Sequence, residues 1–299
     1  MNNAHPGLPE FEYVKPASLK EASKFLAEHA GEARPFSGGT DMFVRLRDGF
    51  FKETKFMVDV KGLDGTNEIM FDPKKGLTVG AAISMNRVVA HPEIQKVYPL
   101  LAEAARTVAS FQLRSRATIV GNICNASPAG DTIGACLVYD GYLNVHGVDG
   151  FYTLPLDSFF KGPGKTTLKP GDVVVSVGFP IPAKDHAGRY IKLGRNRLSD
   201  LSVVGVTAFV SEDKTIPSGY RFRLALASVA PVPFVPAAAE KILAEKPFSE
   251  EVAAEAGQAA MDAITPIDDT RGSARYRKYM VRNLVRQALM DAWSRHNKA

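Results

Sequence analysis

Thr118-Ile119-Val120-Gly121-Asn122-Ile123-Cys124-Asn125-Ala126-Ser127-Pro128-Ala129-Gly130-Asp131 runs directly into the apolar stretch Thr132 to Tyr139. The first part is rich in glycine, asparagine and small polar residues, which predicts a glycine loop that opens a helix over 132–139. A loop of small residues leaves main-chain amides free at a helix start, where the helix dipole also favours negative charge. The same order occurs earlier. A strand over Ala33 to Phe36 precedes the turn Ser37-Gly38-Gly39-Thr40-Asp41, and a short helix, Met42 to Arg47, follows and is closed by Asp48-Gly49. Either turn alone reads as an ordinary tight connection, but two in one region suit a pyrophosphate.

The segments around these turns complete a mixed pattern. Ser18 and Glu21 have capping-box spacing, predicting a helix from Leu19 to Ala30 with Gly31 as its stop. Phe56 to Val60, Leu77 to Ala81 and Asp172 to Phe179 read as strands, and Pro99 to Val108 reads as a helix. Pro180 to Gly188, polar with two prolines, is the predicted linker. Beyond it, Arg189 to Leu193, Ser202 to Val210 and Tyr220 to Val229 predict an antiparallel sheet. Three helices follow, over Val235 to Ala244, Ser249 to Ala263 and Ser273 to His296, the last with Tyr276, Met280, Leu284, Ala288 and Ala292 four residues apart.

The composition, 45% apolar and 23% charged over 299 residues, is that of an ordinary globular chain of about two domains. No apolar run approaches the roughly 20 residues of a membrane span, and the opening Met1 to Pro6 lacks a signal-peptide layout, so a cytoplasmic protein is expected. The net charge is +5, yet eight Lys or Arg lie between 271 and 299 against the single acid Asp291, leaving the rest slightly negative. A basic excess confined to one terminal helix reads as a solvated face or a subunit contact; no nucleic-acid partner is expected.

Chemistry inherent to the chain is sparse. Cys124 and Cys136 are too few for a disulfide framework or an iron–sulfur cluster, and His5, His29, His91, His146, His186 and His296 are scattered without metal-ligand spacing, as surface histidines would be. No Gly-x-Gly-x-x-Gly follows a strand. Gly162-Pro163-Gly164-Lys165-Thr166 imitates only the end of a P-loop, so residues 162–167 are expected to form a mobile surface loop. No nucleophile with its base stands out. Redox work here would need an organic cofactor.

The residues resemble a known family: the FAD-binding medium subunit, or domain, of the molybdenum hydroxylases, the group of xanthine dehydrogenase and carbon monoxide dehydrogenase. The likeness rests on Phe11 to Ala22, the turn over residues 37–41, the signature over residues 118–131, Phe159 to Thr166, Leu168 to Asp172, Tyr190-Ile191-Lys192 with Arg195 and Asp200, and Arg271 to Leu289. It therefore covers nearly the whole chain.

The resemblance implies an α+β fold of the vanillyl-alcohol-oxidase FAD-binding type. Residues 1–180 would hold FAD between subdomains of about 1–58 and 59–180, and residues 186–299 would form a C-terminal domain of three-stranded antiparallel sheet and helix bundle. It implies cofactor contacts at Arg34, Phe36, Ser37, Gly38, Gly39, Thr40 and Asp41, with the amides of 37–41 on the pyrophosphate. A facing loop would supply Ala117, Thr118, Gly121, Asn122 and Cys124. Asn125, Gly130 and Asp131 would meet the ribityl or phosphate portion, Val174 would touch the cofactor from the closing strand, and Lys192 would lie near the polar edge of the flavin ring. Val120 stands where many relatives carry glycine, and its side chain is expected to shift that backbone.

The implied function is an electron-transfer flavoprotein subunit with no catalytic residue and no metal of its own. Partners would be a large molybdopterin subunit and a small iron–sulfur subunit, assembled as a dimer of heterotrimers, with NAD, a quinone, ferredoxin or oxygen as external acceptor. A free-standing flavin-dependent oxidase or reductase, or a cofactor-free scaffold, are the alternatives. The first would need its own substrate pocket and base, and the second would lack the glycine turns.

Overall fold

Ser18 starts the first helix by accepting a hydrogen bond from the Glu21 amide, while the Glu21 carboxylate reaches back to the amide of Ala17 rather than that of Ser18. The structure, a computed structural model, describes residues 7–196 and 199–298, so the Met1 to Pro6 stretch and His5 lie outside it. In chain order come β1 (Glu12–Val14), α1 (Leu19–Glu28), β2 (Ala33–Phe36), α2 (Met42–Arg47) and β3 (Phe56–Asp59). The three strands form a parallel sheet in the order β1-β3-β2, with Glu12 and Ala33 both opposite Phe56. Parallel pairing requires crossovers, which α1 and α2 help to provide.

Next come β4 (Ile69–Asp72), β5 (Gly76–Gly80), α3 (Met85–Ala90), α4 (Pro92–Val97), α5 (Pro99–Arg106), α6 (Phe111–Arg114), α7 (Ile119–Asn125) and α8 (Ile133–Val138). They are followed by β6 (Tyr142–Gly147), β7 (Gly150–Pro155), β8 (Phe160–Gly162), β9 (Lys165–Thr166) and β10 (Val173–Phe179). A five-stranded antiparallel sheet runs β4-β5-β10-β6-β7. Every residue of β10 is buried, and its pairing with β6 slips by one residue between Val174 and Ser176. Such a bulge bends a strand and re-aims its side chains.

Two expectations are corrected here. Residues 118–125 are not a loop: Thr118 caps α7, and Ile119, Val120 and Ile123 pack into the core. Burial of those three side chains overrides the poor helix propensity of Gly121 and the asparagines. Residues 162–167 do not form a free surface loop but belong largely to the β8–β9 hairpin, anchored where the Gly164 amide donates to the Ala126 carbonyl.

The C-terminal part consists of β11 (His186–Leu193), β12 (Val204–Glu212) and β13 (Tyr220–Ala227), an antiparallel sheet in that order, with α9 (Ala237–Glu245), α10 (Glu250–Ala263) and α11 (Ala274–His296). Its core joins the sheet to Ala239, Leu243, Ala256, Ala260, Val281, Val285 and Leu289. The chain is therefore α+β with a C-terminal three-stranded sheet and helices. β11 begins three residues earlier than expected, inside the predicted linker. On α11 Ala288 and Ala292 are buried as expected, but in the first half of the helix the buried side lies one position on: Val281 and Val285 are inside, while Tyr276 is exposed and Met280 and Leu284 are half-buried, because the fully buried Arg277 anchors the helix start.

Four of the eight basic residues of the tail are paired within the fold. Arg271 and Arg277 pair with Asp269, Arg286 with Glu250 and Arg295 with Glu103, so the segment offers less free positive charge than its composition implies. His29, His91, His146, His186 and His296 are half-buried rather than surface residues; His186, for example, stacks on Phe209. Among the described residues no group of three or more His, Cys, Asp or Glu could hold a metal, and no helix is long and apolar enough to cross a membrane.

Candidate functional site

The turn after β2 carries a run of unused hydrogen-bonding capacity. Among the described residues, no backbone carbonyl accepts from the amides of residues 37–42, and Asp41, although it stands at the N-cap of α2, makes no capping bond with its side chain. Buried or half-buried amides without partners are costly, so a run of them calls for an external acceptor. The turn is fixed in place by the Ser37 hydroxyl, which donates to the Ala81 carbonyl at 2.9 Å. Gly38 lies against residues 116–117: a β-carbon there would sit 2.3 Å from the Arg116 carbonyl oxygen. Gly39 has φ +74°, a conformation that side chains disfavour.

This turn forms one wall of a cavity of about 370 Å³, within the range of small-ligand sites. Arg34, Phe36, Ser37, Gly38, Gly39, Thr40 and Asp41 line it from the β2 side. Ala117, Thr118, Gly121, Asn122, Cys124 and Asn125 line it from α7 and the residues before it, and Val174 lines it from β10. The structure thus brings fourteen of the seventeen expected cofactor residues to one cavity. Val120 also touches the cavity but is 4% exposed and packs in the core, so the helix accommodates it.

Gly130, Asp131 and Lys192 do not line the cavity; they stand behind its wall. Asp131 accepts from the Lys192 ammonium at 2.7 Å and from the Tyr190 hydroxyl at 2.7 Å. Lys192 also donates to the Thr107 carbonyl at 3.2 Å, next to Val108, which does line the cavity. Thr132, following Asp131, donates its hydroxyl to the Asn122 side chain at 2.7 Å. The end wall of the cavity is thereby tied to β11.

Residue spacing gave no sign of the charge inside the cavity. Arg45, Phe51 and Gly164 also line it, and none was expected there. The Arg34 guanidinium lies 3.8 Å from the centre of the Phe51 ring and that of Arg45 lies 4.7 Å from it. Arg34 donates to Thr54 and Arg45 to Asn125, and among the described residues neither pairs with a carboxylate. Burial and the nearby Arg45 lower the Arg34 pKa. Crowding by the protein raises that of Asp41, although the residue keeps exposed surface and Arg45 pulls the other way. Burial pushes the Cys124 thiol up to about 12, so it is no thiolate at neutral pH. Two guanidiniums with no ion pair among the described residues, beside a run of free amides, are a donor set that suits a pyrophosphate. The Arg34–Phe51 stack could have been sought in the sequence only by pairing residues 17 apart, for which no periodicity exists.

Residues 9–182 match the domain family described as "FAD binding domain in molybdopterin dehydrogenase", and residues 189–292 match "CO dehydrogenase flavoprotein C-terminal domain". The chain is 30% identical over 289 residues to the carbon monoxide dehydrogenase medium chain of Hydrogenophaga pseudoflava, covering 96% of this chain and 98% of that one. It is 27% identical over 281 residues to a putative xanthine dehydrogenase FAD-binding subunit of Escherichia coli, covering 94% and 95%. Its fold superimposes on a chain of the solved Hydrogenophaga pseudoflava carbon monoxide dehydrogenase with a TM-score of 0.90 at 30% identity, covering 96% and 98%. For quinoline 2-oxidoreductase from Pseudomonas putida 86 the TM-score is 0.86 at 25% identity, again covering 96% and 98%.

Proposed function

The chain belongs to the family of FAD-binding subunits of molybdopterin dehydrogenases, and from that membership we propose that it is the electron-transfer flavoprotein of a molybdenum hydroxylase complex. It would accept electrons that a large molybdopterin subunit delivers through the iron–sulfur clusters of a small subunit, and would pass them to an external acceptor such as NAD, a quinone or ferredoxin. A dimer of heterotrimers is the assembly we propose.

The observation that carries this reading is the run of unpartnered amides over residues 37–42 facing the unpaired Arg34 and Arg45 in one cavity. Those groups would hold the pyrophosphate of FAD, with Thr118, Gly121, Asn122 and Asn125 on the opposite wall and Val174 closing the cleft. FAD supplies the redox chemistry; the protein contributes position, electrostatics and exclusion of water. Beyond the cavity, Gly130, Asp131 and Lys192 would shape the end that receives the flavin ring, and the positive Lys192 would favour negative charge on it. In this division of labour residues 1–180, in subdomains of about 1–58 and 59–180, bind FAD, and residues 186–299 brace its far end.

The test is the visible spectrum of the purified full-length chain after FAD addition and desalting. Retained oxidised-flavin bands, with stoichiometric FAD released on denaturation, are the expected result. A colourless chain that FAD does not reconstitute, alone or with its partner subunits, would overturn the reading. Iron–sulfur absorbance and molybdenum in material co-purified from the native host test the partner assignment separately.

A further inference from the structure

Behind the cavity wall formed by Val108 and Asn122 lies a buried arrangement of three polar side chains. Asp131 is 8% exposed and Lys192 14%, and Tyr190 is 4% exposed. One carboxylate oxygen of Asp131 accepts from Tyr190 and the other from Lys192, so both are engaged. The ionisable groups facing the carboxylate both come from β11. The neighbouring segment after α5 offers only the Thr107 carbonyl, and Glu103 of α5, which accepts from the Tyr190 amide, is itself occupied by Arg189 and Arg295.

Opposing effects act on the charge state of this arrangement. Burial pushes the Asp131 carboxyl above its usual value, while the Lys192 charge and the hydrogen bonds from Lys192 and Tyr190 pull it back. Burial also raises the Tyr190 hydroxyl well above its usual value, aided by the Asp131 charge, so it remains a donor. A donor aimed at a carboxylate favours the ionised form. With Asp131 ionised, the pair is neutral overall; with Asp131 protonated, Lys192 stands uncompensated one residue behind the cavity wall.

We propose that Tyr190 is a positioning residue that keeps Asp131 ionised against Lys192, and thereby sets the redox potential of the flavin bound in the cleft. This rests on the reading that FAD occupies that cleft. Tyr190 acts through Asp131 and Lys192 and has no contact with the cavity itself. Its hydroxyl limits how much positive charge the flavin feels, so its removal makes the reduced, negatively charged flavin easier to form at pH values where Asp131 then takes up a proton.

The experiment compares the full-length wild-type chain with Tyr190→Phe, both reconstituted with FAD, by spectroelectrochemical titration of the flavin between pH 5 and pH 9. The expected result is at least a tenfold rise in the ratio of reduced to oxidised flavin at fixed reductant, a positive shift of about 30 mV for a two-electron couple. The shift is largest at low pH and fades as pH rises. Asp131→Asn, which keeps an acceptor for Tyr190 but carries no charge, should give a positive shift independent of pH; it decides the matter if Tyr190→Phe does not fold. Potentials matching wild type across the range, in either folded and flavin-loaded variant, overturn the proposal. A wild-type chain that binds no FAD fails the reading beneath it instead, whereas a flavin-loaded wild type with unmoved variants fails this inference alone.

Discussion

At position 38 an added β-carbon would have to displace main chain, since the atom 2.3 Å away is the Arg116 carbonyl oxygen. Gly38→Ala is therefore expected to part the two walls of the cleft, with an overpacking cost of about 1–3 kcal/mol and at least about tenfold weaker FAD binding. Fluorescence titration of FAD checks this, and an affinity within twofold of wild type would contradict it. A second residue-scale prediction concerns acid. Burial would raise the Asp269 carboxyl, but its bonds from Arg271 and Arg277 outweigh that and hold it at about 2. Its folded value lies below the roughly 3.9 of an unfolded chain, so the stability it adds is fully present above about pH 4. That contribution is lost as pH falls toward 2. Since Asp269 is partly solvent-screened, the loss is on the order of 1–2 kcal/mol. Urea midpoints at pH 5 and pH 3 should converge for Asp269→Asn relative to wild type.

Among the elements, α7 is the one on which both binding and stability turn. Its cap, the Thr118 hydroxyl accepting from the Gly121 amide at 2.9 Å, fixes the helix start that faces the cleft. Thr118→Ala should cost about 1 kcal/mol in chemical denaturation and weaken FAD binding in parallel; equal FAD affinity would separate the cap from the site. The same element shows what the sequence made legible and what it did not. Ser18, Gly31, Asp48 and Gly49 mark their helix ends by local rules, so α1 and α2 could be read directly. The strands β10 and β12 announce themselves by β-branched runs. The helical state of 119–125 could not be read, because glycine and asparagine argue for a loop locally and only burial of Ile119, Val120 and Ile123 decides otherwise. Arg45 and Phe51 escaped notice for a related reason, since their meeting with Arg34 depends on how the segment before β3 returns to the sheet. On α11 the expected stripe holds at Ala288 and Ala292, but the first half of the helix takes its phase from Arg277, whose buried contacts no spacing rule contains.

Across the whole molecule the N-terminal and C-terminal parts meet through polar contacts as well as packing. Glu103 on α5 accepts from Arg189 at 2.9 Å, from Arg295 at 2.6 Å and from the Tyr190 amide at 3.0 Å, joining α5, β11 and α11. Ser228 donates its amide to the Pro128 carbonyl, and Tyr190 and Lys192 hold Asp131. Glu103→Ala removes three hydrogen bonds at once, two of them to partly exposed and therefore screened arginines that each contribute on the order of 1 kcal/mol, and it should lower the urea midpoint by more than loss of a single surface ion pair does. A midpoint unchanged from wild type would mean that packing alone holds the parts together. The short helix α8 draws out a further consequence of this arrangement. All six of its residues, Ile133 to Val138, are buried, and Gly134 lies so close to Thr207 that a β-carbon would sit 2.3 Å from that hydroxyl. During synthesis the ribosome releases α8 well before β12 and β13, which must cover it. Chains are made at roughly 5–20 residues per second, so for several seconds α8 has its earlier neighbours α5 and α7 but lacks the cover of β12 and β13 on its other side. The interval between residues 139 and 227 is therefore the stretch of synthesis during which that face of α8 is exposed to other chains.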